Sequence, residues 1–112
     1  MLTVDSLRAF GADVNDGLGR CLNNEAFYLK LVKKAIDSDG YEKLAAAVAA
    51  GDTKAGFEAA HMLKGILANL AITPILTPAS ELCEMLRSGT PGDYDAYVKL
   101  ILEKRDELKA MM

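Results

Sequence analysis

The chain has 112 residues, 51% hydrophobic and 26% charged, with a formal net charge of −3. This composition suits one globular domain and excludes a disordered polymer. The mild acidity offers no general attraction to nucleic acid. No apolar run reaches the roughly 20 residues needed to span a bilayer, so no membrane partner is expected. The start, MLTVDSLRAF, places charges where a secretory leader needs an apolar stretch, and a cytoplasmic location is expected. Cys21 and Cys83 form neither a metal spacing nor a disulfide framework. A single histidine, His61, removes multi-histidine metal sites and makes any imidazole chemistry depend on that residue.

Helix formers dominate and no useful segment alternates apolar with polar residues, which predicts an all-α chain. Thr3 is placed to cap a short helix from Val4 to Phe10, closed by Gly11. A second short helix is expected from Asp13 to Cys21, and Gly17 and Gly19 make it dependent on packing. After a turn at Asn23-Asn24, the residues Phe27, Tyr28, Leu31, Val32, Ala35 and Ile36 form one helical stripe. Gly40 breaks that pattern, and an alanine-rich helix follows from Tyr41 to Ala50. Gly51 is a good terminator, and Asp52 or Thr53 a good cap for the helix running from Thr53 to about Ala71. Thr73-Pro74 and Thr77-Pro78 both resemble a cap followed by proline. A turn is expected at the first and the main helix from the second, ending at Leu86 or Arg87. The loop Ser88 to Gly92 precedes a last helix, capped by Asp93, from Tyr94 to about Ala110. The expected architecture is a single domain. Residues 1–22 form short N-terminal helices and residues 24–110 an antiparallel four-helix bundle.

At 100° per residue, Gly56, Ala60, Leu63, Leu67 and Leu70 share the core side of the Thr53 helix. His61 then falls about 130° from the centre of that side, on the flank or outside. Its neighbours one turn away are Phe57, Glu58, Lys64 and Gly65, with Lys54 and Ala68 a further turn out. Gly65 sits inside a helix, where it costs about 1 kcal/mol relative to alanine. Its benefit is clearance above the imidazole, and Ala68 keeps the next turn low. Lys54 and Lys64 bracket the ring with positive charge suited to an anion. Each feature also has an ordinary explanation: a surface histidine, a glycine packed on a neighbour, lysines on a solvated face. Cys83 reads as a core thiol. The pairs Glu81 and Glu84, and Glu103 and Glu107, read as solvated faces.

The segment His61-Met62-Leu63-Lys64-Gly65 resembles the H-x-L-K-G signature of histidine phosphotransfer (HPt) domains. The approach Ala49-Ala50-Gly51-Asp52, with Ala59-Ala60 before the histidine, is also similar to that family. So are the stretch from Ala79 to Arg87 and the early Gly17-Leu18-Gly19-Arg20 and Phe27-Tyr28-Leu29. The chain departs from the pattern at Ile66 and Leu67, where small residues are common, and at Ala71, where a later glycine is common.

The resemblance implies a phosphorelay intermediate. His61 accepts a phosphoryl group from a receiver-domain phospho-aspartate, or through a histidine kinase or hybrid kinase, and passes it to another receiver. Lys64 stabilises the phosphate and Gly65 clears space for the partner. Lys54, Phe57, Glu58 and Ala68 are candidate docking residues, Lys54 from helix geometry alone. A neutral imidazole is expected to attack through its outer nitrogen, a role suited to a side chain that ordinarily titrates at about 6.5. No phosphate-binding loop accompanies the motif, so the chain is expected to be a carrier without autonomous catalysis. No intrinsic cofactor is expected, and Mg²⁺ is expected on the partner receiver. The alternative is a helical adaptor or inhibitor that docks a receiver or kinase without phosphotransfer.

Overall fold

The computed structural model describes all residues, 1–112, and contains seven helices and no strand. They are α1 (Val4–Phe10), α2 (Val14–Arg20), α3 (Glu25–Ile36), α4 (Gly40–Ala49), α5 (Thr53–Leu70), α6 (Thr73–Ser88) and α7 (Tyr94–Lys109). Most start where a polar side chain accepts an otherwise unpaired backbone N–H. Thr3 and Ser6 form a reciprocal capping box at α1. Asp13, Asn24, Asp52 and Asp93 accept the N–H groups of Asp16, Phe27, Ala55 and Ala96.

Helices α4, α5, α6 and α7 pack as a closed ring, each touching the next and α7 returning to α4. Short connections make successive members antiparallel. Helix α3 also packs on α5 and α7. It lies beside Ile66, Asn69 and Leu70 of α5, whereas α4 lies beside Ala55, Glu58, Ala59 and Met62. Two shorter helices thus share one side of the bundle in succession. Helix α2 closes the end of α5. The hydroxyl of Tyr28 donates to the Leu70 carbonyl at 2.9 Å. A Cβ on Gly17 would stand 2.6 Å from the Tyr28 ring and 2.7 Å from the same carbonyl oxygen. That close approach is why a glycine interrupts α2.

The start of α6 differs from the sequence expectation. The helix begins at Thr73, not at Thr77-Pro78, and Pro78 lies inside it. Ile75 and Leu76 already donate to the Ile72 carbonyl. The reason is burial: Ile72, Ile75, Ala79 and Leu82 are all fully enclosed and form one stripe. A turn at Thr73 would remove Ile75 from that stripe. Pro78 supplies no backbone N–H, leaving the Pro74 carbonyl without its usual partner. That loss falls in the first turn, and the proline ring is itself buried.

Only Ala71 and Ile72 separate α5 from α6, so the chain must reverse within two residues. Ala71 does this in a left-handed conformation, φ 55° and ψ 40°. Its N–H reaches the Ala68 carbonyl, and the Ile72 N–H the Leu67 carbonyl. Its own carbonyl accepts the Asp13 N–H at 2.9 Å. Alanine is strained there and glycine is not. Ala71→Gly is therefore expected to raise stability by roughly 0.5–1 kcal/mol in urea unfolding, the relief of strain exceeding the added freedom of the unfolded chain.

The buried core contains no charged side chain. Its two largest members are Tyr28 and Tyr41, both fully enclosed. Burial, the principal cause, pushes both phenols from the ordinary 10 up to about 12. Cys21 raises Tyr28 further, while the Arg105 guanidinium, 5.0 Å over the Tyr41 ring, works against the rise at Tyr41. An acid whose pKa is raised by folding stabilises the fold fully below its unfolded pKa. That contribution disappears as the pH climbs through the folded value. Urea midpoints are thus expected to hold up to about pH 10 and to fall between pH 10 and about 12. Tyr41→Phe should flatten part of that fall. It should also not weaken the protein at neutral pH, because the Tyr41 hydroxyl has no hydrogen-bond partner to lose.

Candidate functional site

Helix α5 is held by one side. Gly56, Ala59, Ala60, Leu63, Leu67 and Leu70 are buried, which includes every residue assigned to the core stripe from spacing. Helical rotation then sends His61 outward, and it is exposed although its neighbour Ala60 is fully enclosed. Phe57, one turn earlier, stacks on the imidazole with ring centres 5.6 Å apart and planes at 21°. Phe57 is half-buried against the core, so the stack ties the imidazole to a packed side chain.

Gly65 is exposed, and a Cβ built on it meets nothing within 4 Å. No packing contact explains this glycine, in contrast to Gly17 and to Gly56, whose Cβ would lie 3.4 Å from Leu86. The space beside His61 on its C-terminal side is open, and Ala68 beyond it is short and half-buried.

The charged neighbours divide between the two flanks of α5. Glu58 is exposed on the flank facing α4. There it borders a shallow depression floored by Ala46, Ala47, Ala50, Ala55 and Ala59, with Met62 at its edge. Lys54 is exposed and forms no ion pair. Lys64 lies on the opposite flank, against α6, with its ammonium 3.8 Å from a Glu84 carboxylate oxygen. The other oxygen of Glu84 accepts two N–H groups of Arg87, at 2.5 Å and 3.2 Å. Those hydrogen bonds hold the Glu84 carboxyl below the ordinary carboxylate range, and Lys64 adds a smaller contribution. Beneath them Cys83 is fully enclosed, and burial pushes its thiol up, as befits an inert core residue.

His61, Phe57, Lys64 and Gly65 thus gather on the outer side of α5, with Lys54, Glu58 and Ala68 around them. Spacing along the sequence missed Glu84. It read as one of a solvated pair with Glu81, whereas it bridges Lys64 and Arg87. Glu81 instead accepts the Tyr97 hydroxyl at 3.0 Å. The signal for Glu84 was absent from α5 itself, since it depends on which face of α6 lies beside Lys64.

No group of three or more His, Cys, Asp or Glu side chains converges to hold a metal ion. No helix is long and apolar enough to cross a membrane. No family model, curated protein or solved structure matches the chain.

The open space over Gly65 has a direct consequence for stability. Gly65→Ala is expected to raise stability by about 1 kcal/mol, the full helix-propensity gain, because no neighbour has to move. Thermal unfolding of the variant checks this, and an unchanged or lower midpoint would show a hidden packing role for the glycine.

Proposed function

We propose that the chain is a phosphorelay intermediate of the histidine phosphotransfer type. It carries a phosphoryl group on His61 between receiver domains, or from a kinase relay to a receiver. The observation that supports this reading best is the combination at α5: an exposed imidazole steadied by Phe57 beside a helix-interior glycine that nothing else in the fold requires. A carrier needs a nucleophile that a bulky partner can reach. Gly65 lowers helix stability and provides that access.

In this reading the lone pair of the outer imidazole nitrogen attacks the phosphorus of a receiver's aspartyl phosphate. The bond between phosphorus and the carboxylate oxygen breaks, and the aspartate leaves as carboxylate. The phosphoimidazolium then loses the proton on its other ring nitrogen to water. The reverse sequence loads the next receiver. Charge on the transferring group is balanced from both partners, by a Mg²⁺ site on the receiver and by Lys64 here. Only Glu58 among the acids lies one helical turn from His61, so the metal is assigned to the receiver in this scheme. The chain itself contributes a positioned nucleophile, a cation and a docking face, and turns over nothing alone. Phe57 and the alanine-floored depression beside Glu58 and Met62 supply apolar contact area on that face.

The test is incubation with a phosphorylated receiver. Acid-labile, base-stable label is expected on the native chain, and His61→Gln is expected to reduce it to background while still binding the receiver. Binding of the receiver without label on His61 would identify an adaptor in place of a carrier.

A further inference from the structure

The ion pair between Lys64 and Glu84 joins the helix that carries His61 to the next helix, α6. Lys64 lies three residues beyond His61 on α5, where a flexible ammonium can serve either a phosphoryl group on the imidazole or a carboxylate on α6. In the structure its ammonium lies 3.8 Å from the carboxylate. We propose that Glu84 is a positioning residue that withholds Lys64 from His61 until a phosphoryl group arrives, and so sets how readily His61 is loaded. This inference rests on the carrier reading given above.

Three features of the site support an exchange of partners. The pair is loosely held: both side chains are partly exposed, 36% for Lys64 and 51% for Glu84, and a pair of that kind is easily released. The incoming competitor is stronger, since a phosphoryl group carries close to two negative charges and three acceptor oxygens against one charge on Glu84. Finally, Glu84 is not abandoned when Lys64 leaves. Arg87 holds its other oxygen through two hydrogen bonds, so the carboxylate stays compensated on α6. Arg87 and Glu84 share one helix at a spacing of three residues, so that bond persists whatever occupies His61. Glu84 therefore has a permanent partner and a conditional one, and the conditional one is the cation nearest the nucleophile in sequence.

Phosphoramidate isolates this effect from receiver docking. The imidazole nitrogen attacks its phosphorus, the phosphorus–nitrogen bond breaks, and ammonia departs. The ammonia then takes up the proton from the other ring nitrogen as ammonium. The rate of phosphohistidine formation is followed in the full-length chain for native protein, Glu84→Gln, Lys64→Ala and the double variant, with helicity and thermal midpoint recorded for each. Release of Lys64 is expected to make Glu84→Gln load about threefold faster than native, the scale of a partly exposed ion pair. Lys64→Ala is expected to load more slowly than native. In the Lys64→Ala background the Glu84→Gln gain is expected to vanish, a coupling that a purely structural role for Glu84 does not produce. Equal loading of native and Glu84→Gln, or the same gain with and without Lys64, overturns the proposal while leaving the carrier reading intact. Absence of phosphohistidine from all four proteins, when a receiver also fails to label the native chain, overturns both.

Discussion

Burial of one face of α5 governs the orientation of every side chain on that helix. Ala60, Leu63 and Leu67 are completely enclosed, and Leu70 nearly so. Each enclosed leucine contributes about 1.5–3 kcal/mol, so the face as a whole outweighs anything gained by turning the helix about its axis. Residues one position apart in a helix differ by about 100° in direction. With Ala60 in the core, His61 has to face outward, and Phe57, Lys64, Gly65 and Ala68 are carried round with it. The polarity of the site is thus a consequence of packing on the opposite side of the same helix.

A second constraint acts at the end of that helix. The reversal at Ala71 and Ile72 is too short to let α6 diverge from α5, and the left-handed Ala71 is held by Asp13 as well as by its own cap. Helix α6 therefore begins at once and runs back alongside α5. Its inner stripe enters the core, and Glu84 on its outer side comes level with Lys64. The charge environment near His61 is in this way set by a two-residue turn at the far end of the helix. At Gly65 the fold would be firmer with alanine, and no neighbouring atom requires a glycine there.

Much of this was legible in the sequence because it is local. The capping roles of Thr3 and Asp93 follow from short polar side chains ahead of apolar periodicity, and Asp52 was one of two candidate caps with Thr53, whereas Asp13 read as the first residue of its helix and proves to be the cap. The core side of α5, and with it the exposure of His61, followed from period 3.6 alone. What escaped was non-local. Two prolines suggested a late start for α6, and the burial of Ile72 and Ile75 outweighed them. Helical spacing could place Lys64 beside His61, but not Glu84 beside Lys64, because that contact needs the facing register of two helices. Sequence also could not show that α3 and α4 share one side of the bundle, which depends on both packing against α5 and α7.

Under the proposed function, the outward nitrogen of His61 is the atom that carries phosphate. A phosphorus–proton correlation spectrum of the native chain after transfer from a phosphorylated receiver tests it most directly. Attachment at Nε2 couples phosphorus to both ring protons, Hδ2 and Hε1. One such signal is expected, assigned to His61 and absent from the His61→Gln protein. Phosphorus coupled to Hε1 alone, phosphate on any other side chain, or no covalent phosphate despite receiver binding would contradict it.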